Sequence, residues 1–194
     1  MGKVVYIIPG FKESISRKGY QKVMEAFRQN GFDTIPIKVS WQGKVMGDYV
    51  EEFMHQVRHN SSDEVYLFGF SFGAIIAMIS SIKLQPKTQI LCSLSPYFKE
   101  DLKYLKKSWK KRVGKKRIND LKQFSFDNFA RKINCKTILV AGTNECKKYP
   151  LLKRRVIDAH KKIRGSELFL VKNAEHNISQ KIYLTKLKEI ISSL

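Results

Sequence analysis

Residues 65–74 read VYLFGFSFGA, an apolar run that leads into the pattern Gly-x-Ser-x-Gly and then into a helical pattern. A serine at a sharp turn between a strand and a helix takes strained dihedral angles. Glycines two residues away on either side, here Gly69 and Gly73, avoid the resulting crowding. Such a turn lifts the hydroxyl of Ser71 above the end of the strand. The pattern predicts Ser71 as a nucleophile; a glycine-rich packing turn with an incidental serine is the alternative.

Short apolar runs alternate with helical patterns along the whole chain. Most of these runs are almost continuously hydrophobic, as in strands buried on both faces of a parallel sheet. The predicted strands are 4–8, 33–39, 65–70, 89–94, 137–141 and 167–171, and the predicted helices are 17–30, 46–59, 73–84, 151–163 and 179–193. This rhythm predicts an α/β fold in which a doubly wound, mostly parallel sheet has about six strands. We expect a single domain over residues 1–194.

The segment 97–134 interrupts the alternation of strands and helices. It has no strand pattern, and residues 99–122 carry 11 Lys and Arg against 3 Asp and Glu. Its aromatic residues provide an apolar face for packing. We predict a short basic insertion of one or two helices, broken at Gly114, that lies over one edge of the sheet as a lid.

A serine hydroxyl needs a base, and the base needs a supporting acid. His176 follows the last predicted strand and Glu145 follows the preceding one, so both should emerge at the edge of the sheet where Ser71 lies. The chain order Ser, acid, His is that of the Gly-x-Ser-x-Gly hydrolases. We predict catalytic roles for all three residues. Glu175, adjacent to His176, is the competing acid.

Two backbone amides are predicted to stabilise an oxyanion. One is that of Phe72, which follows Ser71 at the start of the helix. The other is that of Phe11, in the loop after the first strand, where Gly10 lets the backbone turn closely. Gly10 and Trp41 are predicted to contact substrate, because both follow strands at the same edge. Packing in the core or at the surface is the alternative for Trp41.

Together these motifs resemble the α/β-hydrolase superfamily in a compact form. The resemblance covers nearly the full length, through Ile8-Pro9-Gly10-Phe11, the segment from Gly69 to Gly73, Gly142 to Glu145, and Ala174-Glu175-His176. It implies a serine esterase, thioesterase or related acyl hydrolase that needs no cofactor and no metal. The sequence departs from larger members by lacking the N-terminal hairpin, by having Pro9 where His is common, and by using Glu as the acid.

The formal net charge is +20, from 37 Lys and Arg against 17 Asp and Glu. Such a surplus attracts nucleic acid, anionic membranes or anionic substrates, but these cations are spread along the chain. We therefore expect a small-molecule or carrier-bound acyl substrate, with an anionic substrate or partner left open and nucleic acid disfavoured. A non-catalytic module that binds nucleic acid or anionic membrane is the alternative function.

The cellular location and the metal content are also predicted. With no signal-peptide pattern and no apolar run of about 20 residues, we expect a cytoplasmic protein. His55 and His59 are spaced four apart on a predicted helix, but Gln56 stands where the zinc-protease pattern requires Glu. We expect no metal there.

Overall fold

The computed structural model describes residues 2–57 and 63–194. These residues form one sheet of six parallel strands in the spatial order β2-β1-β3-β4-β5-β6. The strands are β1 (Lys3–Ile8), β2 (Phe32–Pro36), β3 (Glu64–Phe70), β4 (Thr88–Cys92), β5 (Lys136–Gly142) and β6 (Glu167–Val171). The predicted α/β class and six-stranded parallel sheet are confirmed.

Helices cover both faces of the sheet. They are α1 (Lys18–Gln29), α2 (Met46–Gln56), α3 (Phe72–Leu84), α4 (Lys107–Val113), α5 (Lys115–Leu121), α6 (Phe126–Ala130), α7 (Thr143–Lys148), α8 (Pro150–Lys162) and α9 (Lys181–Ser192). Successive side chains of a strand point to opposite faces. Accordingly, Val5 and Ile7 pack with α1 and α9, whereas Tyr6 and Ile8 pack with α2 and α3. None of the described helices combines the length and the hydropathy needed to cross a bilayer.

Two predicted strands extended too far along the chain. The fourth was expected at 89–94, but β4 ends at Cys92 because Ser93 has a φ of 52° and turns the backbone out of the sheet. The second was expected at 33–39, but β2 ends at Pro36, and the Ile37 amide that follows donates to the Ile7 carbonyl of β1 at 3.0 Å. Both changes shorten strands at the edge where the predicted site residues lie.

The segment between β4 and β5 contains more elements than the one or two helices expected. The short helices α4, α5 and α6 follow a 3₁₀ turn at Leu102–Tyr104. The predicted break lies at Gly114, whose φ of 93° is left-handed. A second break precedes α6, where the Ser125 hydroxyl accepts a hydrogen bond from the amide of Asn128 and caps a new helix.

A buried ion pair holds this segment against α8. The guanidinium of Arg155 binds the Asp101 carboxylate at 2.6 and 3.0 Å, and both side chains are 3% exposed. The guanidinium also lies 3.9 Å from the ring centroid of Phe126 on α6. These contacts tie the segment to the sheet scaffold on one side.

Candidate active site

Ser71 occupies a strained turn between β3 and α3. Its φ of 58° and ψ of −115° lie outside the regions that L-residues ordinarily adopt. The turn is fixed from outside, because the Ser71 amide donates a hydrogen bond of 2.8 Å to the carbonyl of Cys92 at the end of β4. The loop after β1 lies beside this turn, since β1 and β3 are neighbours in the sheet. Between these two strands the strand order reverses, which is where open α/β sheets bind ligands.

The two glycines of the motif allow backbone to approach backbone. A Cβ atom on Gly69 would lie 2.4 Å from the carbonyl oxygen of Gly73. A Cβ atom on Gly73 would lie 2.3 Å from the carbonyl oxygen of Ile8. Gly73 thus packs α3 directly on the end of β1, and no flexible side chain is available there to move aside.

We expect Gly73→Ala to lower the free energy of unfolding by about 1–3 kcal/mol, because the added methyl group forces apart two backbone segments. Gly47→Ala is the matched control, since the nearest atom to its Cβ would be Asp120 Oδ1 at 3.7 Å. That change, within α2, should be neutral or slightly stabilising. Urea denaturation of both variants measures the difference, and equal stabilities would contradict this account of the turn.

His176 lies on the loop after β6, and its ring joins Ser71 to Glu145. The imidazole Nε2 is 3.1 Å from Ser71 Oγ, and Nδ1 is 2.6 Å from Glu145 Oε1. The loop is held in place because the carbonyl of Ala174 accepts hydrogen bonds of 3.1 Å from the amides of Asn144 and Glu145. The structure therefore brings the three predicted residues into one hydrogen-bonded chain.

Glu145 lies in the first turn of α7, a short helix that is not among the predicted ones. Its carboxylate is fully buried, whereas the His176 side chain is 30% exposed. The second carboxylate oxygen accepts hydrogen bonds from the Gly142 amide at 2.9 Å and from the Ser93 hydroxyl at 3.0 Å. These bonds fix the carboxylate so that the other oxygen points at the imidazole.

A second tier of hydroxyl groups supports this carboxylate. Because Ser93 donates its hydrogen to Glu145, the single hydrogen of the Tyr183 hydroxyl is shared between Ser93 Oγ at 3.0 Å and the Val140 carbonyl at 3.2 Å. Burial, ahead of the effects of the neighbouring Cys92 and Glu145, raises the pKa of Tyr183 well above its usual range. Tyr183 is therefore a neutral hydrogen-bonding group.

The competing acid Glu175 does not occupy the position beside Nδ1. Glu175 is exposed, and its amide donates to the side chain of Gln180 at 2.7 Å. Since Nδ1 of His176 is bound to Glu145, the geometry favours Glu145 as the acid.

The loop after β1 is organised around a buried tyrosine. The Gly10 amide donates a 2.8 Å hydrogen bond to the hydroxyl of Tyr20, which donates to the carboxylate of Glu13. The Glu13 amide donates a hydrogen bond of 2.9 Å to the Gly10 carbonyl. The backbone of Gly10 is thus used within the loop, and its contact with substrate stays a prediction.

The predicted oxyanion residues are neighbours. The Phe11 ring lies 5.2 Å from the ring of Phe72, centroid to centroid. Phe72 is the first residue of α3, so its amide has no partner inside the helix. The Trp41 ring packs edge-on against Phe11 and also contacts Tyr49, with ring centroids 5.4 Å and 4.9 Å away, respectively. These side chains form an aromatic wall beside Ser71.

Metal binding finds no support within residues 2–57 and 63–194, where no three His, Cys, Asp or Glu side chains cluster suitably. His55 lies on α2 with its Nε2 3.7 Å from the Glu51 carboxylate. His59 lies outside the described residues.

Comparison with known proteins gives similarity in structure but not in sequence. No protein-family model matches the chain, and no curated protein matches it. Est1E from Butyrivibrio proteoclasticus superposes with a TM-score of 0.83 at 13% identity, over 99% of this chain and 86% of that one. Dienelactone hydrolase from Anabaena variabilis superposes with a TM-score of 0.70 at 16% identity, over 99% of this chain and 84% of that one. Alpha/beta hydrolase domain-containing protein 10 from mouse superposes with a TM-score of 0.72 at 13% identity, over 98% of this chain and 88% of that one. The chain has an α/β-hydrolase fold.

Within the α/β-hydrolase fold, sequence reasoning missed the residues that surround the three predicted side chains. Ser95 Oγ lies 3.0 Å from Ser71 Oγ and is almost fully buried. Ser93 and Ser95 follow an apolar strand at the carboxyl edge of the sheet, and that position was a usable signal. Tyr183, on α9, had no such signal because nothing in the sequence directs it toward Glu145.

Proposed function

We propose that this chain is a serine hydrolase that cleaves a carboxylic ester or thioester through an acyl-enzyme. The continuous hydrogen-bonded chain from Ser71 through His176 to buried Glu145 carries the proposal. The fold shared with the Anabaena dienelactone hydrolase supports hydrolysis as the class of reaction. A carboxylic acyl group is proposed because a serine nucleophile beside two backbone amides suits a carbonyl carbon.

The reaction takes two acyl-transfer steps. Ser71 Oγ attacks the carbonyl carbon while its proton passes to Nε2 of His176, and the carbonyl oxygen takes the negative charge. When this intermediate collapses, the bond to the alcohol or thiol breaks and His176 returns the proton to that leaving group. Water then attacks the acyl-Ser71 ester, with His176 again accepting and returning a proton. The products are the carboxylic acid and free Ser71.

Glu145 stabilises the imidazolium that forms in each step and fixes the tautomer of His176. The amides of Phe72 and Phe11 are proposed as the oxyanion donors. The helical segment 97–134 is proposed as a wall or lid, because Tyr97 lies 4.8 Å from Phe72 and Trp109 lies 6.3 Å from Tyr149, both between ring centroids. The cytoplasm is the proposed location.

Fluorophosphonate labelling tests the proposal directly. The probe should modify the native protein, and peptide mapping should place the adduct on Ser71. A panel of p-nitrophenyl esters and acyl thioesters of varied chain length should contain substrates that are turned over. The proposal fails if the folded protein takes up no probe and cleaves no member of the panel.

The non-catalytic alternative has one observation in its favour. Helix α4 contains Lys107, Lys110, Lys111 and Arg112 and no acidic residue. A protein that used this face on nucleic acid or anionic membrane would bind heparin or DNA with a steep dependence on salt. Such binding, without any ester or thioester turnover, would favour the alternative.

We expect Tyr20→Phe to lower kcat by about 10- to 100-fold with little change in KM, since small displacements of catalytic groups have effects of this size. The change removes the hydroxyl that accepts from the Gly10 amide and thereby loosens the loop that carries Phe11. Burial, together with the charge of Glu13, raises the pKa of Tyr20, so the hydroxyl is a neutral donor to that carboxylate.

Tyr66→Phe is the matched control for this variant. Tyr66 also donates to a carboxylate, that of Glu64 at 3.1 Å, but Glu64 begins β3 at the opposite edge of the sheet. Steady-state kinetics and thermal melts should show a fall in kcat for Tyr20→Phe only. An equal loss in both variants would indicate a general effect on stability.

A further inference from the structure

A groove lined by two cations, with a third at its rim, opens beside the proposed oxyanion loop. Its volume is about 630 Å³, and it is lined by Lys12, Trp41, Gln42, Gly43 and Arg117. These residues come from three separate parts of the chain: the loop after β1, the loop after β2, and α5. Lys116, next to Arg117, reaches the rim and donates a 2.9 Å hydrogen bond to the carbonyl of Gly43.

Arg117 carries a positive charge with only neutral partners. Its guanidinium donates to the hydroxyl of Tyr49 at 3.0 Å and to the carbonyls of Val113 and Trp41. Burial raises the pKa of Tyr49, so that hydroxyl is uncharged. Among residues 2–57 and 63–194, neither Arg117 nor Lys12 forms an ion pair with a carboxylate. The neighbouring carboxylate of Glu13 is already bound by Arg17 and Tyr20.

Two of these charges lie near the same aromatic ring, that of Phe11. The Lys12 Nζ atom lies 5.5 Å from the ring centroid of Phe11, and the Arg117 guanidinium carbon lies 5.2 Å from the same centroid. Both side chains also line the groove, so an anion bound there would be attracted by two positive charges. The groove is therefore electrostatically suited to a carboxylate or phosphate group.

The groove is close enough to Ser71 to hold part of a substrate. Phe11, below the two cations, contacts Phe72, the residue after Ser71, with ring centroids 5.2 Å apart. Trp41 lines the groove and also lies 6.5 Å from the Phe72 ring. A substrate with its carbonyl at Ser71 can thus extend over these aromatic rings and into the groove.

We propose that the groove formed by Lys12, Arg117 and Lys116 binds an anionic group of the ester or thioester substrate. This inference rests on the proposed serine hydrolase function and narrows its substrate class. The anion is either a carboxylate on the acyl chain or a phosphate on the leaving group. Lys12 makes no hydrogen bond or ion pair within residues 2–57 and 63–194, so replacing it disturbs only its contact with the Phe11 ring, and it is the residue to replace. Arg117 also holds Trp41 in place and is less suitable.

Binding without turnover tests the groove independently of catalysis. Isothermal titration should show that 4′-phosphopantetheine, for the phosphate, or glutarate, for the carboxylate, binds more tightly than its uncharged counterpart, pantetheine or glutaramide, neither of which is an ester or thioester. Lys12→Met should weaken binding of the preferred anion about fivefold, which is the effect of losing one partly exposed charge contact. Lys83→Met is the control. It makes the same change in net charge at the far end of α3, about 18 Å from Ser71 along the helix.

Kinetics then shows whether the bound anion is part of a substrate. We compare acetyl-coenzyme A with the uncharged acetyl-N-acetylcysteamine, and mono-p-nitrophenyl glutarate with its methyl ester. One charged member should be favoured in kcat/KM by about tenfold, mainly through KM, and Lys12→Met but not Lys83→Met should reduce that preference.

Turnover without discrimination in either pair overturns the inference but leaves the hydrolase proposal standing. Failure to label Ser71 or to cleave any ester overturns the hydrolase proposal, and the titration still decides whether the groove binds anions. If the titration shows equal binding of the charged and uncharged ligands, the groove is not an anion-binding site and the inference is overturned.

Discussion

Ser71→Ala should lower kcat/KM for a cleaved ester by about 10³-fold or more and abolish labelling by a fluorophosphonate. The substitution removes the atom that attacks the carbonyl and receives the probe. The fold should tolerate it, because serine and alanine both carry a Cβ and experience the same strain at a φ of 58°. Circular dichroism and thermal melting should therefore show a folded protein close to wild type in stability.

Ser95→Ala is the control that makes this prediction sharp. Ser95 Oγ lies 3.0 Å from Ser71 Oγ, so Ser95 places a second buried hydroxyl within hydrogen-bond distance of the proposed nucleophile. Its loss leaves the contact between Ser71 and His176 intact, and we expect labelling to persist. The assignment would be wrong if Ser95→Ala abolished labelling and Ser71→Ala retained it, because Ser95 would then be the nucleophile.

The sequence predicted well those features that depend on local backbone chemistry. The turn at Ser71 could be identified from residues 65–74 because an apolar strand, two glycines and a helical pattern all point to one local geometry. The positions of His176 and Glu145 were also accessible. Parallel strands place their carboxyl ends at one edge, so residues that follow different strands are brought near Ser71 without knowledge of side-chain packing.

Features that depend on contacts between distant segments were not predictable in the same way. The hydroxyl of Tyr183 supports Ser93 across 90 residues of chain, and only the docking of α9 on the sheet creates this contact. Likewise, Arg117 contacts the carbonyl of Trp41 across 76 residues of chain, and Asp120 on the same helix accepts hydrogen bonds from the amides of Met46 and Gly47. The surroundings of Trp41 thus depend on contacts between segments that are far apart in the chain.

The second large effect is expected for Glu145→Gln, which should lower kcat by about 10³- to 10⁴-fold with little effect on folding. The carboxylate accepts hydrogen bonds at both oxygens, from the Gly142 amide at 2.9 Å and from His176 Nδ1 at 2.6 Å. Glutamine has nearly the same shape but only one oxygen. Stopped-flow or steady-state assays with the best ester substrate would measure the loss, with melting curves to show that the variant is folded.

The direction of the expected loss follows from the backbone donor. The Gly142 N–H cannot become an acceptor, so the amide oxygen of Gln must face it, and the Gln NH₂ group then faces Nδ1. Nδ1 has to accept that hydrogen bond, which places the imidazole proton on Nε2, where it cannot take the proton of Ser71. Glu175→Gln provides the control. Glu175 is exposed, and this substitution removes the same charge one residue away from His176. It should retain activity within about twofold of wild type, as for an exposed charge that touches no reacting group. A larger loss in Glu175→Gln than in Glu145→Gln would transfer the role of supporting acid to Glu175.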